Sequence, residues 1–463
     1  MPITSSDAAT RQDLIQQLAD ARQRTDDLFA IVNPNALYER PIAERHRIVF
    51  YIGHLEAFDW NLLHESVLGL KSFHPEFDRL FAFGIDPVGG GLPTDQPSEW
   101  PSIAAVQEYV RKIRFLIDDK LPDALSNSSV DSSANPSADP SGRDGLPLSA
   151  LLNVAVEHRL MHAETLAYML HQLPLDRKFQ HSESPTLPTS PVNHGSIEIP
   201  AGPITLGLRR SNDNFGWDNE YEAHSVDVPA FAIDRYKVTN RQYLEFLSAG
   251  GYENRALWSA DASDGERPDD DWEWRSQNGI SHPAFWKRNG DQWLYRTMFH
   301  DVPLPLDWPV YVSQAEAKAY ATWAGKSLPT EAEWQRAAYS TPRGEERAYP
   351  WGDETPGPEF GNFDFHRWDP APVNAFPAGE NAFGVQGMLG NGWEWTSTPF
   401  APFPGFKPFP FYPGYSANFF DGKHFVMKGG SSRTAGCMLR RTFRNWFQAH
   451  YQFIYTGFRC VSR

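Results

Sequence analysis

Cysteine is scarce in this chain: two in 463 residues, Cys437 and Cys460. So few cannot form a secreted disulfide framework. Long apolar runs are missing too. No stretch of about 18 apolar residues occurs, so no membrane-spanning helix is expected. The first residues are polar (Ser5, Ser6, Asp7, Arg11, Gln12, Asp13) and hold no apolar signal core, which makes a soluble, cytoplasmic protein the expectation. Positive charge is in deficit. Lys and Arg number 42 against 58 Asp and Glu, a net charge of −16, which argues against nucleic acid or an anionic membrane surface as partner. Apolar and aromatic residues are plentiful, at 41% and 14% with 16 Trp. The length suits two or three domains with sizeable cores.

The first 180 residues read as helical. Asp7 to Val32 carries Leu, Ala, Gln, Arg and Asp at helical spacing. Arg45 to Leu70 holds a long amphipathic run with His54 inside it. Ile103 to Asp119 repeats its apolar residues at Ile103, Val106, Val110, Ile113, Leu116 and Ile117, and Leu151 to His171 does so at Leu151, Val154, Leu160, Leu166 and Met169. Four helices joined by one long connection describe an antiparallel four-helix bundle. The long connection is the Ser126–Gly145 tract, which is too polar to bury a core.

The fourth helix carries Glu157-His158-Arg159-Leu160-Met161-His162-Ala163-Glu164. His158 and His162 are one turn apart on one face, so two imidazoles can reach one ion. With 15 His in the chain, that spacing alone is a weak signal. His54, in a similar apolar helical setting, strengthens it, because bundles build metal sites from facing helices. Three His with open positions describe a catalytic site rather than a closed structural one.

From Pro174 to His194 the composition turns to Pro, Ser and Thr. The expected division is a bundle over 1–180, a linker over 181–195 and a second domain over 196–463. In that domain short segments alternate with Gly, Pro and Asn. Helices are expected over Thr239–Ala249 and Ser313–Ala324, with another starting at Thr330, where Glu333 completes a capping box. Tyr349 to Arg463 shows little regular periodicity.

Several motifs follow in order: Ile199-Pro200-Ala201-Gly202, Gly325-Lys326-Ser327-Leu328-Pro329-Thr330-Glu331-Ala332-Glu333-Trp334, Tyr349-Pro350-Trp351-Gly352, Gly390-Asn391-Gly392-Trp393-Glu394-Trp395-Thr396, Gly429-Gly430-Ser431 and Gly457-Phe458-Arg459. Together they resemble the formylglycine-generating-enzyme domain, a variant of the C-type-lectin fold. The fold class implied is α+β, a DinB-like four-helix bundle followed by this domain. Most of these residues are expected to be architectural. Formylglycine-generating enzymes use a close cysteine pair for copper. Here only Cys437 lies in the corresponding region, so that activity is not expected.

The combination of bundle and domain, with one early His and a later His-x-x-x-His-x-Glu, is similar to the ergothioneine-biosynthesis sulfoxide synthases and their selenoneine synthase relatives. These are non-haem iron enzymes that use O2 to join a sulfur or selenium donor to the imidazole of hercynine. The resemblance implies Fe(II) as cofactor, with His54, His158 and His162 as its ligands and Glu164 in a supporting role. Zinc suits the same three ligands but cannot supply the redox step. The likeness also implies Asn445 and Trp446 as hercynine contacts, Tyr412 as the proton donor and Tyr415 as its neighbour.

The departures bear on the donor. Where the branch that uses gamma-glutamylcysteine has an Asp, this chain has Phe447. Where that branch has two Arg on the third bundle helix, the matching positions are Gln107 and Val110, with Arg111 and Arg114 on another face. Its Gln before the second bundle His is Met161 here. Charged anchors for a zwitterionic peptide are gone, and neutral or aromatic groups stand in their place. Free cysteine and a selenosugar both fit that site. The losses lean toward the selenosugar, hence toward selenoneine formation.

Overall fold

The apolar periodicity of the first half becomes helices because each repeat sets one stripe of side chains against its neighbours. The computed structural model describes residues 5–82, 92–127, 147–179, 187, 191–210, 215–258 and 270–463. Most of the Ser126–Gly145 tract and of the expected linker lies outside the described residues. The chain divides into two units, Met1–His181 and Ser182–Arg463.

In the first unit the long helices are α1 (Ser5–Ala30), α2 (Ile48–Leu63), α4 (Ile103–Asn127) and α5 (Leu148–Gln172), with a short α3 (Pro75–Leu80) between the second and fourth. α1 packs on α5, and α2 packs on both α4 and α5. Leu14, Leu18, Ala21 and Leu28 form the buried stripe of α1; Val106, Tyr109, Ile113, Ile117, Leu121 and Leu125 form that of α4. α5 is the central element: from Val154 to His171 every residue except Met161 is buried.

In this unit two helix ends move by more than a turn from expectation, and the helix α3 was not expected. α2 stops at Leu63, short of Leu70, and the chain turns through Gly69 at φ 63°, with the His64 ring bonded to the Leu70 carbonyl at 3.0 Å. α4 runs past Asp119 and through Pro122 because Leu121 and Leu125 continue its buried stripe. α3 has no long apolar repeat. Its signal is Pro75 at the first helical position, with Glu76 and Asp78 in the first turn.

A buried ionic hub joins the long helices. Glu56 on α2 meets Arg159 of α5 at 3.0 Å, Arg114 of α4 at 2.7 Å and Arg22 of α1 at 3.8 Å. Burial alone would raise the Glu56 carboxyl. The three guanidinium groups overcome that and hold it down at about 2. Among the described residues no helix is long and apolar enough to cross a membrane.

In the second unit the strands are short: β1 (Ser196–Ile199), β2 (Gly202–Leu206), β3 (His224–Val228), β4 (Phe231–Asp234), β5 (Trp286–Asn289), β6 (Gln292–Arg296), β7 (Asp301–Pro303), β8 (Trp393–Pro399), β9 (His424–Lys428), β10 (Asn445–Gln448), β11 (Thr456–Gly457) and β12 (Val461–Ser462). The helices are α6 (Asn240–Ser248), α7 (Asp270–Gln277), α8 (Gln314–Trp323) and α9 (Glu331–Tyr339). The largest sheet has the order β10-β9-β8-β11, and a second runs β1-β4-β12. Trp334 of α9 sits at 0% exposure in a core with Ile204, Phe231, Ile233, Met388, Leu439 and Val461.

The Thr330 capping box forms as expected. The Thr330 hydroxyl accepts from the Glu333 N–H at 3.1 Å, and the Thr330 N–H donates to Glu333 at 2.7 Å. Thr239 with Gln242 starts α6 by the same device, as does Ser313 with Glu316 for α8.

The sequence motifs resolve into this architecture. Arg459 is fully buried and grips Glu394 through two bonds of 2.6 and 2.9 Å. Arg444 grips Glu331, the first residue of α9, at 2.9 and 3.0 Å. That second fork fixes the start of β10, the strand that carries Asn445 and Trp446.

Candidate metal centre and substrate residues

His54 projects from α2, while His158 and His162 project from one face of α5. Their ligand nitrogens all lie within 4.8 Å of one another, and all three residues are buried. The His54 and His162 Nε2 atoms are 3.2 Å apart. Two nitrogens each about 2.1 Å from one ion sit about 3.0–3.4 Å apart for angles between square and tetrahedral, so this spacing fits a shared ion.

His54 Nδ1 lies 2.6 Å from the Phe81 carbonyl. Only an N–H can serve that oxygen, which leaves the lone pair on Nε2, facing His162. Aromatic rings wall the cluster. Phe50 stacks on His54 at 4.9 Å and Phe58 on His158 at 3.4 Å.

The electrostatics favour neutral imidazoles. Burial lowers His54 from its ordinary value to about 4; the Phe81 carbonyl opposes this, and the charges of His46 and Arg159 add to it. Burial and the neighbouring imidazole push His158 and His162 well below the ordinary range. Three uncharged nitrogen donors, with no carboxylate among them, suit a borderline ion such as iron or zinc.

A pH dependence follows. In the metal-free protein the folded histidines stay unprotonated below pH 6.5, where the unfolded chain takes up protons. The unfolded state then binds more protons, so stability is full above about pH 6.5 and falls with acidification toward the folded value of about 4 at His54. Denaturant midpoints of metal-free protein at pH 7.5 and 5 test this. The expected result is a lower midpoint at pH 5, with a smaller difference in a His54→Gln variant.

The other expected site residues fall as follows. Met161 is half-buried on α5, next to His162, and Glu164 is buried on the same helix. Gln107 and Arg111 are exposed on α4 and Val110 is half-buried. Arg114 is occupied by two bonds to Asp26, of 2.6 and 2.8 Å, together with Glu56.

In the second unit, Tyr412, Tyr415 and Trp446 come together. The Tyr412 and Tyr415 rings are 5.6 Å apart, and Tyr415 meets Trp446 edge-on at 5.4 Å. Trp446 also stacks on Phe400 at 4.2 Å. Asn445 Oδ1 accepts from the Trp446 N–H at 2.9 Å. In β10 alternate residues face opposite ways, so Phe447 lies on the other face from Trp446, stacked on Tyr451 at 5.2 Å.

Sequence reasoning missed the turn Trp217–Glu220. Trp217 stacks on Tyr415 at 4.1 Å, Asp218 accepts from Ser416 at 2.6 Å, and Glu220 accepts from Thr442 at 2.6 Å. This turn joins the Tyr412 loop to the segment leading into β10. Its signal was the acidic pair in Trp217-Asp218-Asn219-Glu220, set within aromatic residues.

Comparison with known proteins places these features. Residues 182–463 match the sulfatase-modifying factor enzyme 1-like domain, and residues 17–166 match the DinB superfamily. Hercynine oxygenase of Mycolicibacterium thermoresistibile is 40% identical over 327 residues, covering 68% of this chain and 70% of that protein. Ergothioneine biosynthesis protein 1 of Neurospora crassa is 28% identical over 507 aligned residues, 92% of this chain but only 55% of the fungal protein. The formylglycine-generating enzyme of Mycobacterium tuberculosis is 34% identical over 239 residues, 44% of this chain and 74% of that one.

Proposed function

The chain belongs to the hercynine oxygenase family, with a DinB-superfamily bundle ahead of a sulfatase-modifying factor enzyme 1-like domain, and from that premise we propose an iron(II)- and O2-dependent enzyme that couples a selenium or sulfur donor to the imidazole of hercynine. The observation that carries this reading is the cluster of three buried, neutral imidazoles within 4.8 Å of one another. Fe(II) held there would supply redox chemistry and open positions for O2 and substrate. In the overall reaction an imidazole C–H and the donor's S–H or Se–H bond break and a C–S or C–Se bond forms. O2 takes up four electrons; one oxygen leaves as water with both hydrogens, and the other stays on the sulfur or selenium.

The protein's own groups have distinct tasks in this reading. His54, His158 and His162 would hold the iron. Trp446 offers an aromatic face to the trimethylammonium group, and Asn445 adds a neutral amide. Tyr412 supplies a proton from its phenol. Tyr415, packed between Trp217 and Trp446, holds that loop in place.

We assign a selenosugar as the donor. Phe447 and Tyr451 present stacked rings where an acid would engage a peptide amine. Arg114, the basic residue nearest the lost Arg positions that is not exposed, is spent on Asp26 and Glu56. Along this stretch of α4, among the described residues, a donor with two carboxylates would meet no unspent buried guanidinium. The ergothioneine biosynthesis protein among the relatives favours the second reading, a sulfoxide synthase using cysteine or gamma-glutamylcysteine.

Turnover with mass-spectrometric detection tests both. Purified protein receives Fe(II), O2 and hercynine with a selenosugar, cysteine or gamma-glutamylcysteine in separate reactions. The expected product is a selenium adduct of hercynine from the first. A sulfur adduct alone would overturn the donor assignment, and no adduct from any donor would overturn the coupling reaction itself.

A further inference from the structure

His54 differs from the other two histidines in what holds its far nitrogen. Among the described residues the Nδ1 atoms of His158 and His162 are buried without a hydrogen-bond partner, whereas Nδ1 of His54 is engaged by the Phe81 carbonyl at 2.6 Å. Phe81 closes α3, its own N–H bonded to Phe77 at 3.0 Å.

Two features pin α3 where its carbonyl meets the ring. The first is a close approach at Gly53, the residue before His54. A Cβ there would lie 2.6 Å from three atoms of the Phe81 ring, a contact that real Cβ atoms do not make. Only glycine lets Phe81 settle against α2, and Gly53 keeps that place although glycine costs an interior helix position about 1 kcal/mol relative to alanine. The second is Asp78. Its carboxylate accepts from the Tyr109 hydroxyl of α4 at 2.6 Å and from Ser72, while its carbonyl accepts from Asn61 of α2 at 3.0 Å. Phe81 itself is at 0% exposure.

We propose that α3 is a positioning element for the metal centre, in which Gly53 and the Asp78–Tyr109 bond seat the Phe81 carbonyl on His54 Nδ1 and so fix the tautomer and direction of that ligand. Gly53, Phe81 and Tyr109 are positioning residues that act through His54. The proposal rests on His54 being a ligand. An outer partner of a metal-bound imidazole sets which nitrogen carries the proton and raises the basicity of the other, and its loss costs about 10–100-fold in affinity.

The test reads metal affinity and ring tautomer, not turnover. Metal-free protein labelled with 15N-histidine reports the His54 tautomer by proton–nitrogen correlation, and Co(II) titration followed by visible absorption reports affinity. The expected result is an Nδ1–H tautomer at His54. Gly53→Ala and Tyr109→Phe should each keep the helical spectrum and cooperative unfolding of the parent yet bind Co(II) about 10–100-fold more weakly, with faster exchange of the ring N–H. Tyr109→Phe preserves the ring's volume and decides the matter if Gly53→Ala does not fold. An Nε2–H tautomer at His54, or parental Co(II) affinity in the folded variants, would overturn the proposal. His54→Ala is the control. If Co(II) binds it as tightly as the parent, the ligand assignment fails instead.

Discussion

Replacing His162 by glutamine is expected to empty the metal centre and reduce turnover to background. The side chain is buried, and its Nε2 sits 3.2 Å from that of His54, so the two are placed to share one ion. A three-nitrogen site has no spare ligand. Losing one should cost more than the roughly 10–100-fold that follows from removing an outer hydrogen-bond partner. Glutamine keeps much of the volume and adds no charge, so the bundle should still fold. Iron per chain after gel filtration, measured beside the circular-dichroism spectrum, checks this. An occupancy under about one tenth of the parent with an unchanged helical spectrum is the expected outcome. Near-stoichiometric iron would remove His162 from the ligand set.

The second large effect is on stability. Arg159→Met should destabilise the first unit by about 3–5 kcal/mol, the usual cost of removing one partner from a buried ion pair. Arg159 has 0% exposure, and its guanidinium lies 2.6 Å from Asp59 and 3.0 Å from Glu56. Glu56 keeps Arg114 and Arg22 when Arg159 is gone. Among the described residues Asp59 keeps no partner of that strength, and burial already raises its carboxyl against the pull of Arg159. Much of the loss should therefore return in Arg159→Met/Asp59→Leu, which replaces the pair with apolar groups of similar size. Urea unfolding of the single and double variants measures this. If Arg159→Met alone shifts stability by less than about 1 kcal/mol, the hub contributes little, and the assigned cost from buried-pair removal is wrong.

The His158–His162 pair was legible in the sequence as local geometry, whereas His54 joined it only through the bundle expectation and the family resemblance. An i, i+4 pair on an apolar helix must share a face, and a third His inside another apolar run of a bundle has few places to point. What surrounds the triad was less legible. The Phe81 carbonyl reaches His54 only through a six-residue helix, α3, placed by Asp78, Tyr109 and the gap at Gly53. Those contacts are tertiary and leave no periodic trace. The Glu56–Arg159 hub did leave a trace that went unread: charged residues at interior positions of two otherwise apolar helices.

In the second unit the capping box at Thr330 was readable from four residues, since it satisfies backbone donors locally. The sheet β10-β9-β8-β11 was not, because its strands run from two to seven residues and pair across long sequence separations. The surroundings of Trp446 stayed hidden for the same reason. Phe400, Tyr415 and Phe419 reach it from a Pro- and Phe-rich stretch with no repeat. In that stretch Tyr415 is the more buried of the tyrosine pair, stacked on Trp217, and Tyr412 is only half-buried.

If His54, His158 and His162 hold an ion whose redox chemistry consumes O2 on behalf of hercynine, oxygen uptake must depend on which metal is loaded. The most direct measurement is oxygen uptake by protein loaded with Fe(II) or with Zn(II), each given hercynine and donor. Both ions suit three imidazoles, so binding alone does not separate them. Uptake is expected with Fe(II) only, dependent on hercynine and stoichiometric with coupled product. Product formed equally with Zn(II), or without O2 uptake, would contradict it and leave the three histidines as a centre for a different reaction.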